Sequence, residues 1–256
     1  MKLIPRLLLA TIISGLAAQL WGQVADAPPG AAEQKTITER IKRTALRFRG
    51  QLPDFICTEI ETRWQDGSSA GTKLKKRDSL EMLVYFTQGG RTGIKLLKVD
   101  GKPARKDYEK AGGAMDPEFL HGAILPTHLF SPKADPQFEW KRWDTIDGRR
   151  VAVFSFRAQP VIQAQGFAIA FHGLVYADPA DGMPMRLEME VDAPPGYPFD
   201  ATGWDVDYGA VALSGRELIL PVKAVTHFRR GKSVWRNEMQ FTGYRKYDAD
   251  STVTFE

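Results

Sequence analysis

Four histidines, His121, His128, His172 and His227, and one cysteine, Cys57, are the side chains of this 256-residue chain best suited to metal binding or nucleophilic attack. Their spacing assembles neither. No histidine stands at ligand spacing from another histidine, a cysteine or a paired carboxylate, and His121 and His128 are separated by Pro126. There is no G-x-S-x-G, no G-x-x-x-x-G-K and no Ser/His/Asp order around a nucleophile elbow. Cys57 opens a strand after Pro53, without a helix N-terminus to lower its pKa, and reads as a buried, inert thiol. Asp144, Asp147, Asp178, Asp181, Asp205 and Asp207 read as turn and outer-face acids rather than a glycosidase pair. The tryptophans Trp64, Trp140, Trp143, Trp204 and Trp235 could line a sugar or lipid groove, but packing in a curved sheet explains them more simply. These residues predict no catalytic group, no metal and no cofactor.

Binding chemistry is better represented. Phe119, Leu120, Ile124, Leu129 and Phe130 are five large apolar groups in a dozen residues, and Glu118 is the only formal charge between Pro117 and Phe130. Such a segment must cover something, either the protein's own side chains or a bound hydrocarbon. Asp116-Pro117 reads as an N-cap with proline at N1, opening a short helix that Pro126 interrupts. Gly112-Gly113, Pro126 and Pro132 are candidate hinges, so the segment reads as a lid over an apolar cavity or as a fixed cover. With Phe171 and His172 of a neighbouring strand, the five apolar residues are the candidate ligand contacts; His172 itself reads as a core or pocket-edge histidine.

The elements that must carry these residues are mostly strands. Arg186–Asp192 alternates strictly: Leu187, Met189 and Val191 point one way, Arg186, Glu188, Glu190 and Asp192 the other. Runs 204–213, 217–228 and 233–247 follow, joined by Ser214-Gly215 and by Arg229-Arg-Gly-Lys232, both short enough for hairpins. Upstream, 56–64 alternates Ile56, Thr58, Ile60, Thr62 and Trp64 against Cys57, Glu59, Glu61 and Arg63, and strands are predicted at 73–87, 92–99, 138–143, 149–157 and 166–176. The last of these is apolar on both faces and reads as a central strand. Thr36-Ile-Thr-Glu39 is a capping box that predicts a helix over 36–48, with Ile37, Ile41, Ala45 and Phe48 on one stripe, ended by Gly50 and Pro53.

The N-terminus reads as an export signal. Met1–Arg6 is basic, Leu7–Leu20 apolar, and Ala25-Asp-Ala27 is a cleavage site, with a cut after Gly22 as a rival. The apolar run is short for a membrane span, so the mature protein is expected in the periplasm or outside the cell, with no stable membrane span. No cysteine follows the run to take a lipid anchor. The formal charge is +4, two of it in Lys2 and Arg6, too little to argue for a nucleic-acid partner.

The closing pattern Gly173-Leu-Val-Tyr-Ala-Asp178, Arg186-Leu-Glu188, Leu220-Pro-Val222 and Phe241-Thr-Gly-Tyr-Arg-Lys-Tyr247 resembles that of the periplasmic lipoprotein carriers, the LolA/LolB-like superfamily. Leu52-Pro-Asp-Phe-Ile-Cys57, Phe138-Glu-Trp-Lys-Arg-Trp143 and Gly148-Arg-Arg-Val151 further resemble secreted proteins of environmental bacteria. The resemblance implies an α+β, mostly β fold: one large curved antiparallel sheet, an unclosed half-barrel, packed on an N-terminal helix and short lid-like helices. It implies as partner a lipid or lipoprotein acyl chain. The expected organisation is signal peptide and leader over 1–27, flexible leader over 28–35, and a single domain over 36–256 with a helical insertion at 102–136. A structural or sensory protein with a filled core, and a hydrolase with a site not visible in sequence, are the alternative functions.

Overall fold

In the computed structural model, residues 27–68, 73–87, 92–111, 122–123, 125–164 and 167–247 are described. Helix α1 (Ala31–Gln51) is followed by β1 (Phe55–Asp66), β2 (Lys75–Phe86), β3 (Thr92–Val99) and β4 (Lys102–Pro103). A 3-10 turn, Glu109–Ala111, and the short helix α2 (Leu125–Leu129) come next. The chain then runs through β5 (Gln137–Ile146), β6 (Arg149–Ala164), β7 (Phe167–Ala177), β8 (Pro184–Asp192), β9 (Ala201–Leu213), β10 (Arg216–Arg230) and β11 (Ser233–Lys246). All eleven strands form one antiparallel sheet in the order β4-β3-β2-β1-β11-β10-β9-β8-β7-β6-β5. It is an unclosed sheet made of two sequential meanders, joined where β1 pairs with β11, from Phe55 opposite Lys246 to Asp66 opposite Val234.

The turns follow from local chemistry. Asp100-Gly101, Asp147-Gly148 and Ser214-Gly215 each place two consecutive residues at positive φ, the geometry whose twist matches a two-residue hairpin. Helix α1 lies on the inner face through Ile37, Ile41, Ala45 and Phe48, the stripe expected from its periodicity. Its start differs from expectation. The helix begins at Ala31 behind Gly30, and Thr36 lies inside it, donating from its hydroxyl to the Ala32 carbonyl. Residues 31–35 (AAEQK) are strong helix formers, so propensity carries the helix five residues past the capping box and takes in most of the expected leader. The few residues before it are also held: Pro29 is buried, and the Trp143 indole donates to the Ala27 carbonyl at 3.0 Å.

The turn between β7 and β8 sits directly on α1. Arg40 donates to the Pro179 carbonyl at 2.7 Å and Thr44 to the Asp181 carbonyl at 2.6 Å. Gly182 is at φ +79°, and a Cβ there would lie 2.4 Å from the helix backbone at Arg40 and Ile41, so the contact requires glycine. Pro126 is likewise corrected: it is the second residue of α2, not a break in a helix ending there. In a first turn its missing N–H has no intrahelical partner to lose. The predicted helix over 117–125 otherwise lies outside the described residues, apart from Gly122, Ala123 and Leu125. No helix among the described residues is long and apolar enough to cross a membrane.

The inner face holds the main core, from Leu80, Met82 and Val84 of β2 through Val206, Leu187 and Val175 to Phe154 and Phe156 of β6, with α1 and α2 packed on it, and a smaller cluster gathers Phe48, Leu52, Phe55, Phe86 and Leu220. Leu187 lies opposite Val206 and Met189 opposite Trp204, all buried, as the alternation of β8 predicts. The outer face of β6–β8 is covered too: Val151, Val153, Tyr176 and Met185 form a third buried cluster, so β7 is apolar on both sides.

Candidate functional site

The candidate site is on β1, at the seam between the two meanders, and it reverses the hydropathy of that strand. Cys57, Glu59, Glu61 and Arg63 point inward and are buried; Ile60, between the two acids, is 42% exposed on the outer face. The register with both neighbours explains why. Glu59 lies opposite Met82 of β2 and Phe241 of β11, and Glu61 opposite Leu80 and Met239, all four of them core residues. Directly paired residues share a face, so the pairing that buries these four carries both glutamates inward with them.

Arg63 closes the row. Its Nε and Nη2 donate to the two carboxylate oxygens of Asp78, each at 2.6 Å, and Nη2 also donates to the Ala111 carbonyl at 2.9 Å. This bidentate pair is a strong, geometrically committed interaction. The glutamates have no counterpart: both are completely buried, and none of their four carboxylate oxygens has a hydrogen-bond partner in good geometry. Burial pushes Glu61 up to about 7, reinforced by Asp78 and opposed by Arg63, Arg77 and the nearby Asn237 amide. Burial, then the Glu61 charge, holds Glu59 well above the usual carboxylate range. The Cys57 thiol and the Tyr108 and Tyr244 hydroxyls are pushed up chiefly by burial, and each also feels the Glu59 charge. Cys57 is therefore a buried, protonated thiol, as its position predicted.

Burial disfavours the charged form of both acids, and together they offer mostly acceptors with few donors nearby. Among the described residues no group of three or more His, Cys, Asp or Glu side chains could hold a metal ion. The arrangement suits a hydrogen-bond donor entering an otherwise apolar interior.

The residues expected to contact a ligand fall elsewhere. Leu129 and Phe130 are fully buried at the C-terminal end of α2, where Phe130 packs edge-on against Phe156, ring centroids 5.2 Å apart. Phe171 is buried on the inner face of β7, its ring centroid 6.0 Å from that of Trp204. His172, the next residue, points to the outer face; it is 39% exposed, with Nδ1 2.9 Å from Asp192 Oδ1. Phe119, Leu120 and Ile124 lie outside the described residues. The inner face thus joins Leu129, Phe130 and Phe171 in one core and leaves His172 out of it. Between α1, α2 and the start of β8 runs a narrow apolar crevice, too tight to admit a water molecule, lined by Thr44, Ala45, Phe48, Pro126, Met183, Pro184 and Tyr208. Thr127, which donates to the Ala45 carbonyl at 2.9 Å, ties the two helices beside it.

Sequence reasoning placed Glu59 and Glu61 on one face of a strand but did not single them out. The available signal was the pairing of acids at i and i+2 with a cysteine on the same face, in a strand flanked by two apolar ones.

No family model matches the chain, and no curated protein sequence matches it. Among solved structures, the chain is similar to a domain from Vibrio parahaemolyticus assigned to outer membrane lipoprotein sorting. That match covers 86% of this chain and 95% of the other, at 10% identity and a TM-score of 0.40. The chain is also similar to a DUF1329 family protein from Desulfovibrio piger, over 85% of this chain and 94% of that one, at 7% identity and a TM-score of 0.38.

Proposed function

We propose that this is a non-catalytic, exported envelope protein that holds an amphiphile, a lipid or acyl chain, between its open sheet and its helices. The observation that carries the reading is the unsatisfied pair Glu59 and Glu61 inside an otherwise apolar core. A core built only to be filled would lose stability to each such carboxyl, by about 1–3 kcal/mol, with no return. An interior that receives a molecule with an apolar body and a polar end gives the pair a purpose. Export rests on the basic and apolar segments at the N-terminus, which lie outside the described residues. The acids sit out of solvent contact, which favours holding a ligand over hydrolysing one.

Native mass spectrometry of protein isolated from its own host tests this. A co-purifying lipid, lost on delipidation and regained from an added acyl-chain probe, is the expected result. Protein that is repeatedly empty and takes up no probe would overturn it. The second reading, a structural or interaction protein with a filled core, is favoured by the narrowness of the crevice beside α1, which leaves no room for a water molecule. An empty protein with unchanged stability in the presence of acyl probes is the outcome that selects it.

A further inference from the structure

We infer that the polar end of the ligand is a positively charged nitrogen bearing N–H groups, held between Glu59 and Glu61; this rests on the binding function proposed above and specifies its ligand. Two carboxyls stand on the same face two residues apart, both completely buried; neither oxygen of Glu59 has a hydrogen-bond partner, and Glu61 has only the Asn237 amide beside it. Their cross-strand neighbours Met82, Phe241, Leu80 and Met239 have no N–H or O–H in their side chains to offer. The next cation along the face, Arg63, is already committed to both oxygens of Asp78 and to the Ala111 carbonyl. Beyond the Asn237 amide, what the site lacks is donors, together with a positive charge that would draw the two carboxyls back toward ionisation.

A second, independent group points the same way. Thr226 of β10 is completely buried on the inner face, and its hydroxyl oxygen also has no partner. It lies opposite Asn237, which in turn lies opposite Arg63, so a further polar group without a partner stands two strands away from the pair on the same face. A primary ammonium carries three N–H donors, enough to serve the Glu59 and Glu61 carboxyls together. A carboxylate or phosphate head without an amine would meet like charge, and an alcohol would satisfy a single acceptor. Met82 and Met239 stand beside the pair on either side, and flexible thioether side chains can repack around an entering group.

The inference is tested by calorimetric titration of the delipidated protein at pH 7 with four probes of equal chain length: dodecylammonium, dodecyltrimethylammonium, dodecanol and dodecanoate. Dodecylammonium is expected to bind at least about tenfold more tightly than dodecanol, the factor that one or two charge-assisted hydrogen bonds supply. The trimethylated head, charged but without N–H, should lose most of that preference. Glu59→Gln/Glu61→Gln should abolish the amine-over-alcohol ratio, and Ile60→Thr, on the opposite face, should keep it. Glu61→Gln alone gives the same readout if the double variant folds poorly. Equal binding of amine and alcohol, or a preference that survives the Gln substitutions, overturns this inference and leaves the binding function standing. Failure of all four probes to bind overturns the binding function as well.

Discussion

Strands β1 and β8 have the same alternating grammar and opposite outcomes. In β8, Leu187, Met189 and Val191 are buried while Glu190 is exposed, and Glu188 accepts a hydrogen bond from the Tyr176 hydroxyl at 2.9 Å on the outer face. In β1, Glu59 and Glu61 are buried and Ile60 is exposed. The period of two states which residues share a face; it does not state which face is dry. That choice belongs to the partners. β8 sits among strands whose hydropathy agrees with its own, whereas β1 is placed between β2 and β11 by pairing with Leu80, Met82, Met239 and Phe241. A one-residue slip would turn Ile60 inward and both acids out, but it would also separate Arg63 from Asp78. The bidentate pair therefore helps to lock the register that buries the acids.

The contrast is broken most directly by placing an acid on the β8 interior. Leu187→Asp should destabilise the protein by about 3–5 kcal/mol, because the new charge has no partner among Val206, Val175 and the rest of the core. Denaturant unfolding reads it. A loss below about 1 kcal/mol would show that the β8 interior tolerates acids as β1 does, and the distinction between the strands would collapse.

The next effect is in pH. The usual value for a glutamate is 4.5 and Glu61 is held at about 7, so below 4.5 both the folded and the unfolded chain are protonated there. Between these values the unfolded chain releases its proton while the folded protein keeps it. The folded state then binds more protons, and stability falls as pH rises, by up to about 3 kcal/mol across the window. Glu59, also held above the usual carboxylate range by burial, contributes a decline of the same sign. Melting temperatures of the wild type and Glu61→Gln should converge near pH 7 and separate toward pH 4.5 once both are referred to that common point. Parallel profiles would mean that Glu61 titrates as an ordinary surface acid.

Glu61→Leu sharpens the comparison from the other side. Removing an unsatisfied carboxyl from a site walled by Leu80 and Met239 should stabilise the empty protein by about 1–3 kcal/mol. The sign is opposite to that of the β8 substitution. Destabilisation of similar size would show that the Asn237 amide satisfies Glu61 in the folded state.

Much of this fold is legible in the chain. Asp100-Gly101, Asp147-Gly148 and Ser214-Gly215 announce their hairpins, and the stripe from Ile37 to Phe48 announces the buried face of α1. Those signals are local, and they hold because local chemistry decides them. The start of α1 was misread because a side-chain cap is only one contribution, and AAEQK upstream of Thr36 supplies enough propensity to extend the helix. The candidate site was not legible for a different reason. Nothing near Glu59 in sequence indicates that its strand pairs with the last strand of the sheet, Glu59 opposite Phe241 and Glu61 opposite Met239. The burial of the acids is a consequence of that long-range pairing. Phe130 and Phe171 were legible as apolar, and the alternation of β7 puts His172 on the face opposite Phe171, where the structure has it partly exposed beside Asp192.

The smallest expected effect is the most demanding on the comparison. Ile60 is the residue that hydropathy alone would bury, and it lies 42% exposed opposite Glu81 of β2 and Gln240 of β11. Ile60→Thr keeps β-branching, and so the strand preference of the position, while removing apolar surface that the fold has left in water. The change in unfolding free energy should stay within about 0.5 kcal/mol. A loss of 2 kcal/mol or more, the range for emptying a core position, would mean that Ile60 is buried in solution. By the alternation of β1, Glu59 and Glu61 would then face outward. Their raised pKa values and the proposed ligand would fall with that result, whereas a neutral substitution leaves the inverted strand, and the acids beneath it, in place.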